Sequence, residues 1–394
     1  MNIIILSDRF HPTPVSGAVL TYDLARELVE QNHKVLVLTA DSNIDSDHEL
    51  MMENGIDILR VKAKNQKILS KPSRLLFELL LQKKIWKAFR KYNTEVDYNL
   101  VIAHSPTIFW GTILKKFSLN YSGISKYLIL RDIFPKWALD TGIISRFNPI
   151  YWFLKWHEHK LYREVDKIGV QSKSNLIYFK KAAEASSIEV LYNFKKSYLS
   201  NVPKSNIREK LKLKDKVIFV FGGNLGFAQD IDNLLRLIDS FRNEDKFHFL
   251  FVGEGTEFQL IDQWIKENKA KNITLLPAVS DHEYQSILKV CDVGVISLRR
   301  SFKTDNFPNK IMNYMEYKLP ILASINPNNE LSDLINEYEV GLVSENGDDE
   351  RLKNNTLKLL ENPRLRSEMG SKGAILLKKQ FNANSAVKKI LSNF

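Results

Sequence analysis

Short apolar runs alternate along the chain with longer amphipathic stretches, and this pattern predicts strands followed by helices. Residues 2–7, NIIILS, are the continuous apolar run expected of a strand covered on both faces in a parallel sheet. A polar loop, a helix over Val19 to Gln31 and a second buried strand, KVLVLTA, follow. This βαβ unit places Gly17 at the start of a helix, at the sheet edge where such folds bind ligands.

The same alternation predicts two domains. Further strands in the first half are DILRVKA, LVIAHSP, KYLILRDIFP, KIGVQS and IEVLYNF. After a polar linker, a second series contributes VIFVFGG, FHFLFVG, ITLLPAV, VGVISL, PILAS and GLVS. We therefore expect an α/β fold of two Rossmann-like, doubly wound domains facing a cleft. The predicted domains are 1–195 and 196–375, with a C-terminal helix in 376–394 that crosses back to the first domain.

The composition agrees with a globular protein of two domains, and the chain carries a net positive charge. The chain has 394 residues, 44% of them hydrophobic and 26% charged, as in a globular protein with more than one core. The single cysteine, Cys291, lies in a strand-like run and cannot form an internal disulfide, which indicates a reducing compartment. A net charge of +11 predicts an anionic partner. No signal peptide or membrane-spanning run is apparent, so we expect a cytoplasmic protein.

A glycine-rich turn in the second half is a candidate anion site. In FVFGGNLGFAQD a buried strand runs into Gly223, Asn224, Gly226 and Gln229 before a helix. Glycines allow close backbone approach, and free N–H groups at a helix start attract phosphate. Such turns are also ordinary connectors. The turn is not GxGxxG and the chain has no GK[ST] loop, which argues against a dinucleotide oxidoreductase or an NTPase.

The stretch DNFPNKIMNYMEYKLPILAS is a second candidate. Pro308 is predicted at the first position of a short helix with Lys310 in its first turn, where a cation opposes the helix dipole unless an anion is bound nearby. Glu316 follows two turns later. A surface glutamate beside Lys318 is the alternative.

Polar residues also end strands in the first half. His104 follows LVIA, and Arg131 and Asp132 follow LIL. If the strands are parallel, these residues lie at the same edge as Gly17 and favour a site there. His157 and His159 are two residues apart on a predicted helix and point to different sides, which argues against metal binding.

Gly17, His104, FGGNLG, FVGEG and PNKIMNYMEYKLPIL together resemble the family-four retaining glycosyltransferases of GT-B fold. LRDIFPKWALDTG and FPNKIMNYMEYKLP are similar, more narrowly, to the subgroup that builds bacterial O-antigen and capsule, including N-acetyl-fucosamine transferases. The resemblance implies a nucleotide-sugar donor, expected to be a UDP-sugar, in the second domain. It also implies a lipid-linked saccharide acceptor on the first domain, and no metal or other cofactor.

The resemblance implies site residues as well. Glu316 matches the family's second motif glutamate, which grips the donor ribose, whereas Pro308 stands in place of the first. Phe227, Ala228 and Gln229 replace the usual diphosphate-binding charges, so we expect Lys310 to serve, helped by Arg299, Arg300 or Lys303. The predicted catalytic residues are His104, Asp132, Lys310 and Glu316. The predicted donor-binding residues are Gly17, Arg131, Gly223, Asn224, Gly226, Gln229, Val279, Asn309, Lys310 and Glu316.

The mechanism implied by the resemblance uses no protein nucleophile. The acceptor hydroxyl attacks on the face from which the nucleotide departs, and the donor phosphate takes the proton. His104 would support the sugar, and Arg131 and Asp132 would orient donor or acceptor.

A basic helix predicted over Ser73 to Tyr92 suggests peripheral attachment to the inner face of the cell membrane. On a helical wheel its cations lie on one side and its apolar residues on the other, as in helices that lie on anionic bilayers. The cations are Lys83, Lys84, Lys87, Arg90 and Lys91, and the apolar residues are Leu79, Ile85, Trp86 and Phe89. The aromatic stretch Pro149 to Arg163 could add anchors. The alternative is an amphipathic helix with its apolar side in the core.

Two other functions remain open at this point. A nucleic-acid binder would use the same charge, but the chain has no helix-turn-helix, RNP or zinc pattern. A sugar-nucleotide epimerase could share the two-domain fold, although the Glu316 stretch favours transfer.

Overall fold

The computed structural model of the chain describes most of its residues. The described ranges are 1–13, 15–63, 71–92, 96–105, 107–131, 133–140, 142–181, 187–196, 203–301 and 308–394. Two compact units are present, and each is described by itself below. Unit 1 comprises Met1–Lys196 with Ala383–Phe394, and unit 2 comprises Ser197–Asn382.

Unit 1 contains an eight-stranded sheet within the described residues. Its strands are β1 (Asn2–Leu6), β2 (Lys34–Asp41), β3 (His48–Glu53), β4 (Ile56–Lys62), β5 (Leu100–His104), β6 (Ser125–Leu130), β7 (Lys167–Val170) and β8 (Ser187–Val190). The order is β3-β4-β2-β1-β5-β6-β7-β8. All pairs are parallel except β3 with β4. We did not predict β3, because its residues HELMME lie at the edge and do not show an apolar run.

Helices cover both faces of this sheet. They are α1 (Ser16–Glu30), α2 (Lys71–Tyr92), α3 (Gly111–Asn120), α4 (Lys136–Asp140), α5 (Pro149–Arg163) and α6 (Lys173–Lys181). Buried side chains of α2, α3, α5 and α6 form one core layer. The other layer contains α1 and the last helix of the chain, α15 (Ala383–Leu391), which is therefore part of unit 1.

Unit 2 has a six-stranded parallel sheet. Its strands are β9 (Val217–Asn224), β10 (Phe247–Glu254), β11 (Ile273–Leu276), β12 (Val293–Ser297), β13 (Ile321–Ile325) and β14 (Gly341–Glu345), in the order β11-β10-β9-β12-β13-β14. Its helices are α7 (Ile207–Lys210), α8 (Ile231–Ser240), α9 (Phe258–Asn268), α10 (Asp281–Leu288), α11 (Lys310–Glu316), α12 (Glu330–Glu337), α13 (Asp349–Glu361) and α14 (Pro363–Gln380). The central strands β9 and β10 carry paired phenylalanines, which explains their continuous apolar sequence.

The boundaries between the units lie close to the expected ones. The first falls after Lys196, and the second after Asn382, later than the expected 375 because α14 runs to Gln380 within unit 2. The backbone N–H of Ala383 then donates to the carbonyl of Lys195, which returns the chain to unit 1. Both domains are thus Rossmann-like α/β layers, as predicted.

The expectation that the apolar side of the basic helix faces a bilayer is wrong for its second half. Ile85, Trp86 and Phe89 of α2 are buried in the unit 1 core, with exposed fractions of 1%, 9% and 1%. The alternative of a core-facing amphipathic helix holds for this half, because Phe117 of the neighbouring α3 packs against Trp86 and Phe89. Within the described residues, no helix is both long and apolar enough to cross a membrane.

Candidate functional site

His104 ends β5 and lies against Gly17 at the start of α1. A Cβ atom built on Gly17 would lie 2.9 Å from Cε1 of His104. Any larger residue at position 17 would therefore displace the imidazole. The structure thus brings together two residues that the sequence placed at the same sheet edge.

The imidazole of His104 is buried and neutral. Its residue is 2% exposed, and neither ring nitrogen has a hydrogen-bond partner within the described residues. Burial, and secondly the positive charge of Arg131, lower the pKa of His104 from 6.5 to about 3. Burying a polar group without a partner is costly, so this position is suited to a ligand that supplies hydrogen bonds.

Arg131 follows β6, and hydrogen bonds to the protein backbone fix its side chain. Its guanidinium donates hydrogen bonds to the carbonyls of Leu191, at 2.6 Å, and Tyr192, at 3.4 Å. Its backbone N–H donates to Oγ of Ser105. Arg131 therefore joins the ends of β6 and β8 and contributes a fixed positive charge near His104. The predicted partner Asp132 lies outside the described residues.

The glycine turn of unit 2 lies at the carboxyl end of β9. Gly223 has a φ of 104°, a left-handed conformation that favours glycine. Nδ2 of Asn224 donates to Oε1 of Gln229 at 3.4 Å, so two predicted donor-binding side chains contact each other across the turn. Gly226 begins the short 3₁₀ turn Phe227–Gln229, which leads into α8. Val279 is half-buried in the loop after β11.

Two of the cations expected to assist Lys310 are engaged elsewhere. The guanidinium of Arg299 lies 3.8 Å from the centre of the Phe227 ring, donates to the carbonyl of Phe227 and pairs with Asp230 at 3.4 Å. Arg300 donates to the carbonyl of Asn346 and lies 3.8 Å from Glu345. These contacts give both arginines structural roles in the loops. Lys303 is outside the described residues.

Lys310 begins α11 and lies at the same sheet edge. Its Nζ is 3.5 Å from the centre of the Phe221 ring, two residues before Gly223 in β9. Within the described part of the chain it has no carboxylate partner. Lys310 is half-buried, and its loss of contact with water lowers the pKa of its amine from 10.5 to about 7. A desolvated ammonium beside a glycine turn is a position that an anion would stabilise.

Tyr314 fixes α11 against the sheet, and the sequence did not single it out. Its hydroxyl lies 3.1 Å from the carbonyl of Val295 and accepts from the backbone N–H of Gly222 at 3.4 Å. A Cβ on Gly294 would lie 2.3 Å from the Tyr314 ring, so this strand residue has to be small. The i, i+4 spacing from Lys310 was the available signal. Tyr314 thereby positions Lys310 beside the turn.

Glu316 ends α11 and is 6% exposed, so the alternative of a surface glutamate is excluded. The structure does not bring it together with Lys310. Glu316 is six positions after Lys310, which places the two about 9 Å apart along the helix axis and on different sides of the helix. Asn313 is three positions after Lys310, about one turn, and therefore lies closer than Glu316 to the side of the helix that carries Lys310. Helix α11 begins after Asn309, so Pro308 precedes it instead of opening it.

Comparison with known families supports a single assignment. Residues 17–194 match the model "Glycosyltransferase Family 4", and residues 203–375 match "Glycosyl transferases group 1". The two matches follow one another and together span both units. The chain belongs to the GT-B glycosyltransferases.

The curated relatives of this GT-B glycosyltransferase share low sequence identity with it. The chain is 26% identical over 231 residues to WbjE of Pseudomonas aeruginosa, named as a glycosyltransferase, and the match spans 57% of each chain. It is 21% identical over 350 residues to WcaI of Escherichia coli K12, named as a colanic acid biosynthesis glycosyl transferase, covering 80% of this chain and 81% of WcaI.

Solved structures show the same fold. Sucrose-phosphate synthase from Thermosynechococcus elongatus superposes with a TM-score of 0.74 at 16% identity, covering 100% of this chain and 98% of that one. An Escherichia coli trehalose-6-phosphate protein bound with UDP-2-fluoro glucose gives 0.74 at 12% identity, with coverage of 100% and 98%. These likenesses establish the GT-B architecture.

Proposed function

We propose that this chain transfers a sugar from a nucleoside-diphosphate sugar to a saccharide acceptor. The observation that carries the proposal is the desolvated ammonium of Lys310, which lies beside the glycine turn of β9 without a carboxylate partner in the described residues. A diphosphate would supply the missing negative charge, and the backbone of Gly223 to Gly226 can approach it closely. A UDP-sugar is the proposed donor, since a GT-B neighbour is bound with UDP-2-fluoro glucose.

In this proposal the acceptor hydroxyl oxygen forms a bond to the anomeric carbon while the bond from that carbon to the β-phosphate oxygen breaks. The hydroxyl proton goes to the departing phosphate, on the same face, so that configuration is retained. Lys310 stabilises the negative charge that develops on the phosphate. His104 remains neutral and donates or accepts a hydrogen bond to a sugar hydroxyl, because a group with a pKa of about 3 is a poor base near pH 7.

The proposed acceptor is a lipid-linked saccharide of bacterial surface polysaccharide synthesis, in the cytoplasm at the inner face of the membrane. The name of WcaI, a colanic acid biosynthesis glycosyl transferase, supports this choice. An N-acetylated deoxyhexosamine such as N-acetyl-fucosamine is the proposed donor sugar, on the resemblance of LRDIFPKWALDTG and FPNKIMNYMEYKLP to that subgroup.

The test is a panel of UDP-, GDP- and TDP-sugars incubated with the purified chain, with and without a lipid-linked acceptor. Release of free nucleotide that depends on acceptor, together with a product that keeps the anomeric configuration, is the expected result. Nucleotide release without any acceptor-dependent product, or interconversion of one nucleotide sugar into another, would contradict transfer and favour the epimerase alternative.

A further inference from the structure

Unit 1 exposes a cluster of large apolar side chains on α5 and on the loop before it. Phe147 is 97% exposed and Trp152 is 62% exposed. We call this cluster the aromatic surface, and its members are Ile143, Phe147, Ile150, Trp152, Phe153 and Trp156. Large contiguous apolar patches on soluble proteins mark interaction sites.

Hydrogen bonds fix the start of α5 and the Trp152 ring of the aromatic surface. Oδ1 of Asn148 accepts from the N–H of Ile150 at 2.9 Å and caps α5, while Nε1 of Trp152 donates to the carbonyl of Arg146 at 3.0 Å. On the side of α5 opposite Trp152 and Trp156, Leu154 is buried with Ile108 and Phe109. Because the helix already has a buried apolar side, the exposed rings are a second apolar side without a cover in unit 1.

The charges around the aromatic surface are almost all positive. Residues 142–163 contain the cations Arg146, Lys155, Lys160 and Arg163 and one acid, Glu158. The Glu158 side chain is 1% exposed and is paired with Lys155 at 2.5 Å. Nζ of Lys160 lies 5.3 Å from the centre of the Trp156 ring. Of the four cations, Arg146 and Arg163 are exposed, whereas Lys155 and Lys160 are half-buried. Tryptophan and phenylalanine near exposed cations are typical of surfaces that bind the headgroup region of anionic bilayers.

Helix α2 extends this positive charge on the same layer of unit 1. Lys83, Lys84 and Lys87 are exposed, whereas the apolar side of that half of α2 is buried. At the other end of α2, Leu76 and Leu80 are 58% and 41% exposed. The roles expected of one helix are thus divided: the second half of α2 contributes charge, and α5 contributes the aromatic anchors.

We propose that the aromatic surface docks on an anionic lipid bilayer, with Phe147, Trp152 and Trp156 in the headgroup region and the basic side of α2 above it. A second copy of the chain is a poorer occupant, since a symmetric contact would bring the cationic rims together.

The aromatic surface is also connected to the His104 site. Phe109 contacts His157 of α5 at 4.7 Å between ring centres, and the adjacent Trp110 donates from Nε1 to the carbonyl of His104 at 3.0 Å. Docking would therefore hold the His104 site near the bilayer. The choice of a lipid-linked acceptor for this site rests on the proposed transferase function, but docking itself does not.

The test compares binding of the purified full chain to vesicles of phosphatidylcholine with and without phosphatidylglycerol. We expect binding only to the anionic vesicles, weakened by salt because of screening. Phe147→Asp combined with Trp156→Asp should reduce the partition coefficient by about tenfold or more, since two anchors are lost and negative charge is added. Leu119→Asp is the matched control: Leu119 is 74% exposed on α3, outside the aromatic surface, and should bind as the parent chain does.

Vesicle binding needs no turnover, so its outcome is independent of whether the proposed transferase function is correct. Acceptor-dependent transfer to a detergent-dispersed substrate should be unchanged in the double variant. Lack of binding by the parent chain, or an equal loss with Leu119→Asp, would overturn the proposal. Conversion of a dimer of the parent chain into a monomer by the double variant would also overturn it, by assigning the surface to self-association.

Discussion

His104 in unit 1 and Lys310 in unit 2 are both bases at the carboxyl edge of a parallel sheet, and desolvation lowers the pKa of both. The outcome differs because the starting pKa values differ. The pKa of His104 falls from 6.5 to about 3, so the imidazole is neutral at physiological pH. The pKa of Lys310 falls from 10.5 to about 7, so the amine is close to its midpoint and gains a full charge when an anion binds.

The difference indicates which ligand each unit is suited to. Unit 1 presents a neutral group beside Gly17, appropriate for the hydroxyls of an uncharged sugar. Unit 2 presents a cation beside a glycine turn, appropriate for a diphosphate. The same physical effect, desolvation at the carboxyl edge of a parallel sheet, thus gives two sites of different chemistry.

The largest effect is expected from Lys310→Ala. Loss of a charge contact that strengthens in the transition state costs about 2 to 4 kcal/mol, or about 100-fold in turnover. Turnover should be measured with saturating donor and acceptor. Lys318→Ala, which removes an exposed lysine just past the end of α11, is the matched control and should leave turnover within about twofold. Equal rates for the parent chain and Lys310→Ala would remove this lysine from the site.

A dependence on pH should follow from the same lysine. Above pH 7 the amine of Lys310 in the free protein loses its proton, so kcat/KM for the donor should fall by about tenfold per pH unit. The unfolding free energy of the ligand-free protein should rise with pH between about 7 and 10.5, because the unfolded state then binds the extra proton. Both trends should be absent in Lys310→Ala, and a parent profile that is flat above pH 7 would contradict the assignment.

A smaller effect, on the KM for the donor, should distinguish the roles of Asn313 and Glu316 in α11. Glu316 was predicted to bind the donor ribose, but Asn313 is on the side of Lys310. We expect Asn313→Ala to raise the donor KM by about tenfold, as for loss of one or two hydrogen bonds, and Glu316→Gln to raise it less. Donor affinity by calorimetry is the direct measurement. The reverse order would support the prediction that Glu316 binds the donor ribose.

The smallest effect is expected in unit 1. His104→Ala should lower kcat/KM for the acceptor by about fivefold to tenfold through loss of a hydrogen bond, without altering the pH profile between 5 and 8 because the imidazole is neutral throughout. Gly17→Ala should act in the same direction, since its Cβ would displace His104. Val19→Ala, an exposed position in the same helix, is the control. A new pH dependence in His104→Ala would indicate that the residue acts as a base.

Much of the fold was predictable because both sheets are buried on two faces. Every strand of unit 2 was marked by an apolar run between polar turns, and Gly223 was correctly placed at the end of one of them. The strand β3 was missed because an edge strand need not be apolar. The position of α11 could not be predicted in detail, since it depends on the contact of Tyr314 with Gly222 and Gly294, residues far apart in sequence.

The sequence by itself determined the two α/β units, the strand ends that carry His104 and Gly223, the helix start that carries Gly17, and the amphipathic character of α2. Only the tertiary structure decided which apolar sides are covered. The helical period shows that Ile85, Trp86 and Phe89 share a side, but not that α3 packs over it. The helical period also does not show that no helix in the described part of unit 1 packs over the exposed rings of α5. Burial depends on the neighbours that the fold supplies, and those neighbours come from distant parts of the chain.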